Sequence, residues 1–436
     1  MRIYNLFPLL AGKFEDWKPH LERASFMGFD WIFVNPIQKL GKSGSLYSIK
    51  DYFAINPALC SASTSPESQI RSMIAEAKQL GLKLMIDLVI NHCAYDSDLL
   101  RDHPEWFIKE NGRIANPYCM HDGQKVVWED LAQFNHTSNK DADGFYRYCV
   151  RIVEFMIDLG FEGFRCDAAY QLPATFWQRL IADTRKKHPG VSFIAETLGC
   201  SADMTRETAR AGFDAIFNSS KWWDFSSPWL LEQYQLTREI SPSISFPESH
   251  DTPRLAEEVQ GNIDALKQRY LFSALFSAGV MMPIGYEFGF RKPLHVVNTT
   301  PQDWETTEID LTEFIRDVNA IKAQHTVFNE ESITELWPTS NDTVMLLWKA
   351  ARNSASEALV LLNKDVWNRQ EIGIDDLYRY TQVGGPLMDI SPQWPMTHLP
   401  TPFHYELTPG MARVMVIDNQ IPTTEVGLEL TRQARV

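Results

Sequence analysis

Cysteine is scarce in this chain, with 6 residues among 436. No two of them form the C-x-x-C pair that zinc ribbons and dithiol redox sites use. The sequence therefore disfavours a structural zinc site and a dithiol redox site. Cys166 directly precedes Asp167 inside an apolar run, where we expect it to pack as a small apolar side chain. Isolated, reduced thiols are typical of the cytoplasm.

Positive charge is also in short supply, since 41 lysines and arginines stand against 56 aspartates and glutamates, a formal charge of −15. A surface this acidic argues against a nucleic-acid partner, whose phosphates need a basic face. Apolar runs long enough to span a bilayer are missing, so no membrane partner is expected. The N-terminal stretch predicts a first strand rather than a cleavable leader, which again favours a cytoplasmic location.

The first 320 or so residues alternate short apolar runs with amphipathic segments, the pattern of a βα-repeat fold. The predicted strands are Ile3–Leu6, Trp31–Val34, Leu84–Ile90, Gly163–Cys166, Ser192–Ala195, Ala215–Phe217, Ser243–Phe246 and Val280–Pro283. The predicted helices include Phe14–Met27, Glu67–Leu80, Gly144–Leu159 and Pro173–Lys187. Eight strands in this pattern predict the α/β class and a (β/α)₈ TIM barrel.

Two departures from the repeat suggest how the chain is divided. A long stretch at about 93–140, rich in polar residues and proline, predicts a loop excursion after strand 3. Beyond residue 330 the runs become β-type and are separated by polar turns. We therefore expect a catalytic barrel over 1–329, a C-terminal antiparallel β-sandwich domain over 330–422, and a tail over 423–436.

Three apolar runs each end in an acidic residue: Asp167 in GFRCDAAY, Glu196 in FIAETLG and Asp251 in FPESHD. A buried parallel strand delivers a polar side chain to the rim of a barrel in this way. Singly, each acid is more simply explained as a helix cap or a surface charge. Three carboxylates converging on one rim favour chemistry on glycosidic bonds, which requires a pair of carboxyl groups.

The chain resembles the α-amylase family of retaining, α-glucoside-active enzymes over nearly its whole length. The resemblance is carried by DLVINH (87–92), GFRCDAAY (163–170), AETLG (195–199) and SHD (249–251), in that order. An upstream segment, GSLYSIKDYFAINP (44–57), is similar to the family's Gly-x-Tyr stretch. One such segment alone carries little information, whereas five in order with intact acids are a specific signal.

The resemblance implies roles for individual residues. Asp167 would be the nucleophile, Glu196 the general acid/base, and Asp251 the third carboxylate, which stabilises the transition state. The apolar run before Glu196 would raise the pKa of its carboxyl group by desolvation. The implied substrate-binding residues are Tyr47, His92, Arg165, His250 and Arg254, and Asp87 would support Arg165. Trp222 and Trp223 are equally compatible with a sugar platform and with the core.

Two positions differ from the family pattern. Ala169 and Tyr170 occupy the place of a Lys-His pair that contacts the leaving group and helps a structural calcium site. No cofactor is therefore expected to be required; calcium remains possible, with Asn91 as a ligand. Arg254 matches half of an exo-acting signature, but Ser48 follows Tyr47 where the matching aspartate would stand.

The resulting expectation is a cytoplasmic enzyme that cleaves α-1,4-glucosidic bonds of maltooligosaccharides, glycogen or starch through a covalent glycosyl-enzyme intermediate. Hydrolysis of the α-amylase type is the favoured reaction. The alternative is transglycosylation of the maltosyltransferase kind, because the two reactions differ in acceptor geometry rather than in catalytic residues. A remote alternative is a catalytically silent carbohydrate-binding or partner subunit. The oligomeric state, endo or exo action and chain-length preference stay open.

Overall fold

The structure of the chain, a computed structural model, describes residues 1–121, 124–352 and 354–419. Its centre is a closed barrel of eight parallel strands. The strands are β1 (Arg2–Leu6), β2 (Trp31–Val34), β3 (Lys83–Leu88), β4 (Gly163–Cys166), β5 (Ser192–Ala195), β6 (Ala215–Phe217), β7 (Ser243–Ser245) and β8 (Gly279–Pro283). Neighbours in sequence are neighbours in the barrel, and β8 closes onto β1. The predicted (β/α)₈ fold is confirmed.

Eight main helices accompany these strands. They are α1 (Lys18–Phe26), α2 (Pro66–Gln79), α3 (Ala142–Leu159), α4 (Ala174–Lys187), α5 (Ala202–Ala209), α6 (Trp229–Thr237), α7 (Ile263–Phe276) and α8 (Thr312–Gln324). Their ends follow local sequence signals: in α3, the Asp141 carboxylate accepts the Gly144 N–H at 3.1 Å, and Gly160 ends the helix with φ 116°. Across the described residues, no helix combines the length and apolarity that crossing a membrane requires.

Strand alternation divides the apolar side chains of the barrel into two sets. One set, which includes Ile3, Phe33, Met85 and Ile194, forms a cluster within the barrel. The other set, such as Tyr4 and Leu84, belongs to the larger cluster shared with the surrounding helices. Burial on both sides explains why the strands read as continuous apolar runs in the sequence.

The connection after β3 contains regular structure. Residues His92–Ala94 pair with Leu131–Gln133, and a second ribbon joins Lys109–Glu110 to Arg113–Ile114. A third pairs Tyr118–His121 with Gln124–Val127. A further ribbon, Gln38–Leu40 with Ile49–Ile55, follows β2 and presents Tyr47. These short ribbons fix the backbone of long loops on the strand-end face of the barrel.

The C-terminal part is antiparallel, as the fold prediction requires. Its strands are β9 (Ile333–Trp337), β10 (Val344–Ala350), β11 (Ser356–Asn363), β12 (Gln370–Ile374), β13 (Met388–Asp389), β14 (Phe403–Leu407) and β15 (Ala412–Asp418). Five of them form one sheet in the order β9-β10-β11-β15-β13, and β12 pairs with β14. Apolar side chains of both sheets share one cluster. The predicted domain boundaries stay a prediction, and the 423–436 tail lies outside the described residues.

Candidate active site

The three acidic residues singled out by the sequence lie past the carboxyl ends of barrel strands. Asp167 directly follows β4, Glu196 directly follows β5, and Asp251 lies in the loop after β7. Backbone hydrogen bonds continue the sheet pairing one residue beyond β4 and β5. The Asp167 N–H donates to the Leu88 carbonyl, and the Glu196 N–H donates to the Cys166 carbonyl. Rigid strand ends, rather than free loops, therefore position both carboxyl groups.

Arg165 holds the acids together. Its Nη1 donates to Asp87 Oδ1 and to Asp167 Oδ1, both at 2.8 Å, and its Nη2 lies 3.1 Å from Glu196 Oε1. The same nitrogen lies 3.8 Å from Asp251 Oδ2. The arginine is 2% exposed, so these charge-assisted contacts are formed away from water. Strand spacing predicts the contact with Asp167, and the register of β3 against β4 supplies Asp87.

A strained backbone position links the two leading acids. Ala168, directly after Asp167, adopts the left-handed conformation with φ 42° and ψ 43°. Its N–H donates to Glu196 Oε2 at 2.6 Å. Trp177 Nε1 donates to the Ala169 carbonyl at 2.9 Å and anchors the turn that follows. Strain of this kind in a non-glycine residue is held in place by its surroundings and often marks a functional site. Nothing in the sequence signals Ala168, since alanine is not a turn residue.

Burial raises the pKa of both Asp167 and Glu196 to about 7, with Arg165 acting in the opposite direction on each. The two carboxyl groups share one guanidinium, so near neutral pH the pair retains a proton that free carboxyl groups would have released. The Arg165 contact is shorter to Asp167, at 2.8 Å, than to Glu196, at 3.1 Å. Glu196 in turn accepts the Ala168 N–H at 2.6 Å, so each carboxyl group has a donor that favours its ionised form. Retaining chemistry would use the form in which Asp167 is ionised and Glu196 carries the shared proton.

Tyr47, His250 and Asp251 form a second polar group beside the first. The Tyr47 hydroxyl donates to Asp87 Oδ2 at 2.6 Å, lies 2.7 Å from His250 Nε2 and accepts from Asn35 Nδ2 at 3.0 Å. His250 Nε2 also lies 3.0 Å from Asp251 Oδ2. Burial acts to raise the pKa of Asp251, but the His250 contact outweighs it and lowers the pKa to about 2. Asp251 is therefore the permanently ionised acid of the three.

His92 and Asn91 line the end of the β3 connection. His92 Nε2 lies 3.1 Å from the Tyr47 carbonyl, and burial lowers the pKa of the ring to about 4, so the imidazole is neutral. Within the described part of the chain, His92 Nδ1 and Asn91 Oδ1 are buried atoms without a hydrogen-bond partner. A free amide oxygen suits a calcium ligand. The described cluster of possible metal-ligand side chains is a different one, His103, Glu105 and Asp141, so calcium at Asn91 stays a prediction.

Arg254 lies outside the carboxylate cluster. Its guanidinium is 2% exposed and donates to Glu248 Oε1 at 2.8 Å, to the Ile284 carbonyl at 2.9 Å and to the Lys292 carbonyl at 3.0 Å. All three nitrogens thus have partners within the protein, as is typical of a structural arginine, and the expected substrate contact stays a prediction. Glu248 was not singled out from the sequence. It also accepts the Leu255 N–H, and so fixes the loop that carries His250 and Asp251.

The tertiary structure separates the tryptophan pair that the sequence left ambiguous. Trp223 is fully buried against Phe225 and Phe272, whereas Trp222 is 51% exposed. Trp223 is therefore a core residue, and Trp222 is free to contact a ligand. Tyr170 is half-buried, and burial is the main cause that raises the pKa of its phenol. The negative charge of Glu196 is the second cause, which shows that the two side chains are near each other.

Comparison with known proteins gives three results. A family model described as the glucanotransferase domain of glycogen debranching enzyme matches residues 1–111. An α-1,4-glucan:maltose-1-phosphate maltosyltransferase of Burkholderia pseudomallei (strain K96243) is 25% identical over 374 residues, covering 82% of this chain and 32% of that protein. An Arcanobacterium haemolyticum protein of the same name is 26% identical over 395 residues, covering 80% and 55%.

Solved structures show the same fold. A Lactobacillus plantarum α-amylase superimposes with a TM-score of 0.76 at 19% identity, covering 95% of this chain and 98% of that one. A maltogenic α-amylase of Thermotoga neapolitana gives 0.72 at 19% identity, with 96% of each chain covered. The barrel with its C-terminal antiparallel sheets is thus the fold of these α-amylase structures. The family model, the curated relatives and this fold together support the predicted resemblance to the α-amylase family.

The relatives correct one expectation. Hydrolysis was the favoured reaction, and that prediction is wrong, because the curated relatives are named as maltosyltransferases. The comparisons favour the transglycosylase alternative instead. The chain spans between 32% and 60% of the length of the curated relatives it matches.

Proposed function

We propose that this protein is a retaining α-glucan transglycosylase that transfers a maltosyl unit to the end of an α-1,4-glucan. The observation that carries the proposal is the pair of carboxyl groups bound to one buried guanidinium, at 2.8 Å for Asp167 and 3.1 Å for Glu196. Retaining chemistry needs such a close pair, about 5–5.5 Å apart, whereas inverting enzymes leave room for a water between the two carboxyl groups. The names of the relatives support transfer over hydrolysis.

In the first half-reaction, an Asp167 carboxylate oxygen attacks the anomeric carbon of the donor. The bond from that carbon to the leaving oxygen breaks, and Glu196 gives its proton to the leaving oxygen. Asp251, held ionised by His250 at 3.0 Å, faces the positive charge that develops on the sugar ring. The product of this step is a glycosyl ester of Asp167 and an ionised Glu196.

In the second half-reaction, Glu196 removes the proton of an acceptor hydroxyl, whose oxygen displaces Asp167 from the anomeric carbon. Two inversions at the same carbon restore the α configuration, and Glu196 recovers its proton. Arg165 contacts both carboxyl groups and so stabilises whichever of the two is ionised at each stage.

The acceptor determines whether such a site hydrolyses or transfers. Tyr170 stands where the family pattern has a cationic pair, and its half-buried ring lies in the electrostatic range of Glu196. An aromatic face suits the apolar face of a pyranose and displaces water from the acceptor side. This favours a sugar hydroxyl over water as the second nucleophile.

We also place the activity in the cytoplasm. Cys60, Cys93, Cys149, Cys166 and Cys200 are unpaired thiols, a state that a reducing compartment maintains.

Product analysis on maltoheptaose tests the proposal. The purified protein is incubated with the sugar, the chain lengths are followed by chromatography over time, and reducing ends are counted in parallel. We expect longer and shorter chains that differ by two glucose units, at a constant number of reducing ends. A second arm supplies maltose 1-phosphate with a glucan acceptor and follows phosphate release, since the relatives' names specify that donor.

The matched control is Glu196→Gln, which keeps the side chain's shape but cannot supply the proton. Transfer to the acceptor should be slower by a factor of about 10³ or more in both arms. A net rise in reducing ends with shorter products alone would refute transfer and indicate a hydrolase. Specific binding of maltoheptaose without any turnover would instead support a silent binding subunit.

A further inference from the structure

Trp394 is the most solvent-exposed large apolar side chain among those described in the structure, at 70%. It lies in the loop after β13, in the C-terminal sheets rather than in the barrel loops that carry the acids. Its backbone is left-handed, with φ 47°. Both properties are unfavourable, because an L-residue with a bulky side chain rarely adopts this conformation and exposed tryptophan gains nothing from burial.

A buried ion pair holds the tryptophan in this conformation. Arg413, 2% exposed, donates from Nη1 to the Trp394 carbonyl at 2.6 Å and to Asp389 Oδ2 at 3.2 Å. Asp389 binds both ends of the loop, since its Oδ2 accepts the Met396 N–H at 3.0 Å and its Oδ1 accepts the Ser391 N–H at 2.9 Å. The loop is therefore fixed from inside, and the indole is presented on a rigid support.

We propose that Trp394 is an α-glucan-binding platform, separate from the candidate active site, on which the polymer stacks while one of its ends is processed. A rigid, flat indole suits the apolar face of a pyranose ring and loses little conformational entropy on binding. Strained backbone conformations that the surrounding structure maintains occur mainly at functional sites, so the strain at Trp394 favours a ligand-binding role. The choice of ligand rests on the proposed function.

The neighbours of Trp394 favour a sugar over a protein partner. Thr397 and His398 are exposed beside it, so the loop displays the indole face among side chains that can hydrogen-bond sugar hydroxyls. Docking surfaces for proteins are more typically marked by a large contiguous apolar patch, whereas Thr397 and His398 beside Trp394 are polar.

Retardation in native gels containing glycogen tests the platform. All variants carry Glu196→Gln so that the polymer is not altered during the run. Trp394→Ala should raise the apparent Kd for glycogen about fivefold, and Trp394→Phe should recover most of the affinity. With Glu196 restored, the rate on maltoheptaose should stay at the parent value, because a short chain does not need a second contact.

Trp367 provides the matched control. It is 64% exposed in the same C-terminal sheets, and Asp365 accepts its N–H at 2.8 Å in an ordinary turn. Trp367→Ala should leave glycogen retardation unchanged. Equal retardation of Trp394→Ala and its parent, or an equal loss in both alanine variants, would overturn the proposal.

The same measurements separate this inference from the proposed function. Transfer on maltoheptaose with glycogen binding insensitive to Trp394 would leave the function standing and refute the platform. Glycogen binding that depends on Trp394 in a protein without transfer activity would support the platform and refute the function.

Discussion

Replacing Asp167 by asparagine should stabilise the protein at alkaline pH while abolishing its activity. Burial raises the pKa of this carboxyl from 3.8 to about 7 in the folded chain. Between these two pKa values, Asp167 is protonated in the folded state and ionised in the unfolded state. The free energy of unfolding therefore falls as the pH rises. The loss begins above pH 3.8, the unfolded value, and is complete above about pH 7.

The magnitude follows from the two pKa values. At about 1.4 kcal/mol per pKa unit, ionisation of Asp167 in the folded protein costs about 4 kcal/mol above pH 7. Asparagine has nearly the same shape, carries no charge, and its oxygen still accepts the Arg165 hydrogen bond that Asp167 receives at 2.8 Å. We expect a gain of roughly 2–4 kcal/mol at pH 8, because part of the attraction to Arg165 is lost with the charge.

Urea unfolding of the parent and the variant at pH 5 and pH 8 measures this directly. The gain should be large at pH 8 and small at pH 5, where the parent carboxyl is mostly protonated. Asp203→Asn is the control, since Asp203 is an exposed residue of helix α5 whose replacement should change stability by less than about 0.5 kcal/mol. A variant less stable than the parent at pH 8 would refute the reasoning, because attraction to Arg165 would then exceed the cost of burial.

Three other outcomes are expected. Glu196→Gln should lower turnover by a factor of about 10³ or more. The rate of the parent protein should fall above about pH 7, where Glu196 loses its proton. A rate that keeps rising with pH would exclude Glu196 as the general acid. Arg254→Met should destabilise the fold by about 3–5 kcal/mol, because it strands the buried Glu248 carboxylate. Unchanged stability with a raised KM would instead indicate that Arg254 binds substrate. A chelator should lower Tm by a few degrees at most, whereas a large drop that an Asn91→Ala variant no longer shows would support calcium at Asn91.

The helices show where local sequence is sufficient. The predicted Gly144–Leu159 and Pro173–Lys187 segments correspond to α3 and α4 within two residues, because caps and apolar periodicity are local signals. The predicted helix from Phe14 begins at Lys18 instead. A separate 3₁₀ turn occupies Phe14–Asp16, and Pro19 lies in the first turn of the true helix, where its missing N–H costs nothing.

The arginines show where local sequence is insufficient. Arg165 and Arg254 each lie close in sequence to an acid of the site, and both were predicted to act there. In the structure, Arg165 reaches Asp87, Asp167 and Glu196, while Arg254 pairs with Glu248. Strand alternation could predict the first contact, but the direction of a side chain in an irregular loop depends on what packs around it.

The sequence by itself determined the barrel. Its eight apolar runs of strand length must be covered on both faces, and a barrel of parallel strands surrounded by helices provides that cover. It also determined that Asp167 and Glu196 lie at strand ends, because an acid directly after a buried barrel strand lies at the rim. Only the tertiary structure decided the common guanidinium, the left-handed Ala168 that donates to Glu196, and the burial of Trp223 beside the exposed Trp222. These features depend on contacts between residues far apart in the chain. The raised pKa values of Asp167 and Glu196 likewise arise only when the surrounding side chains exclude water.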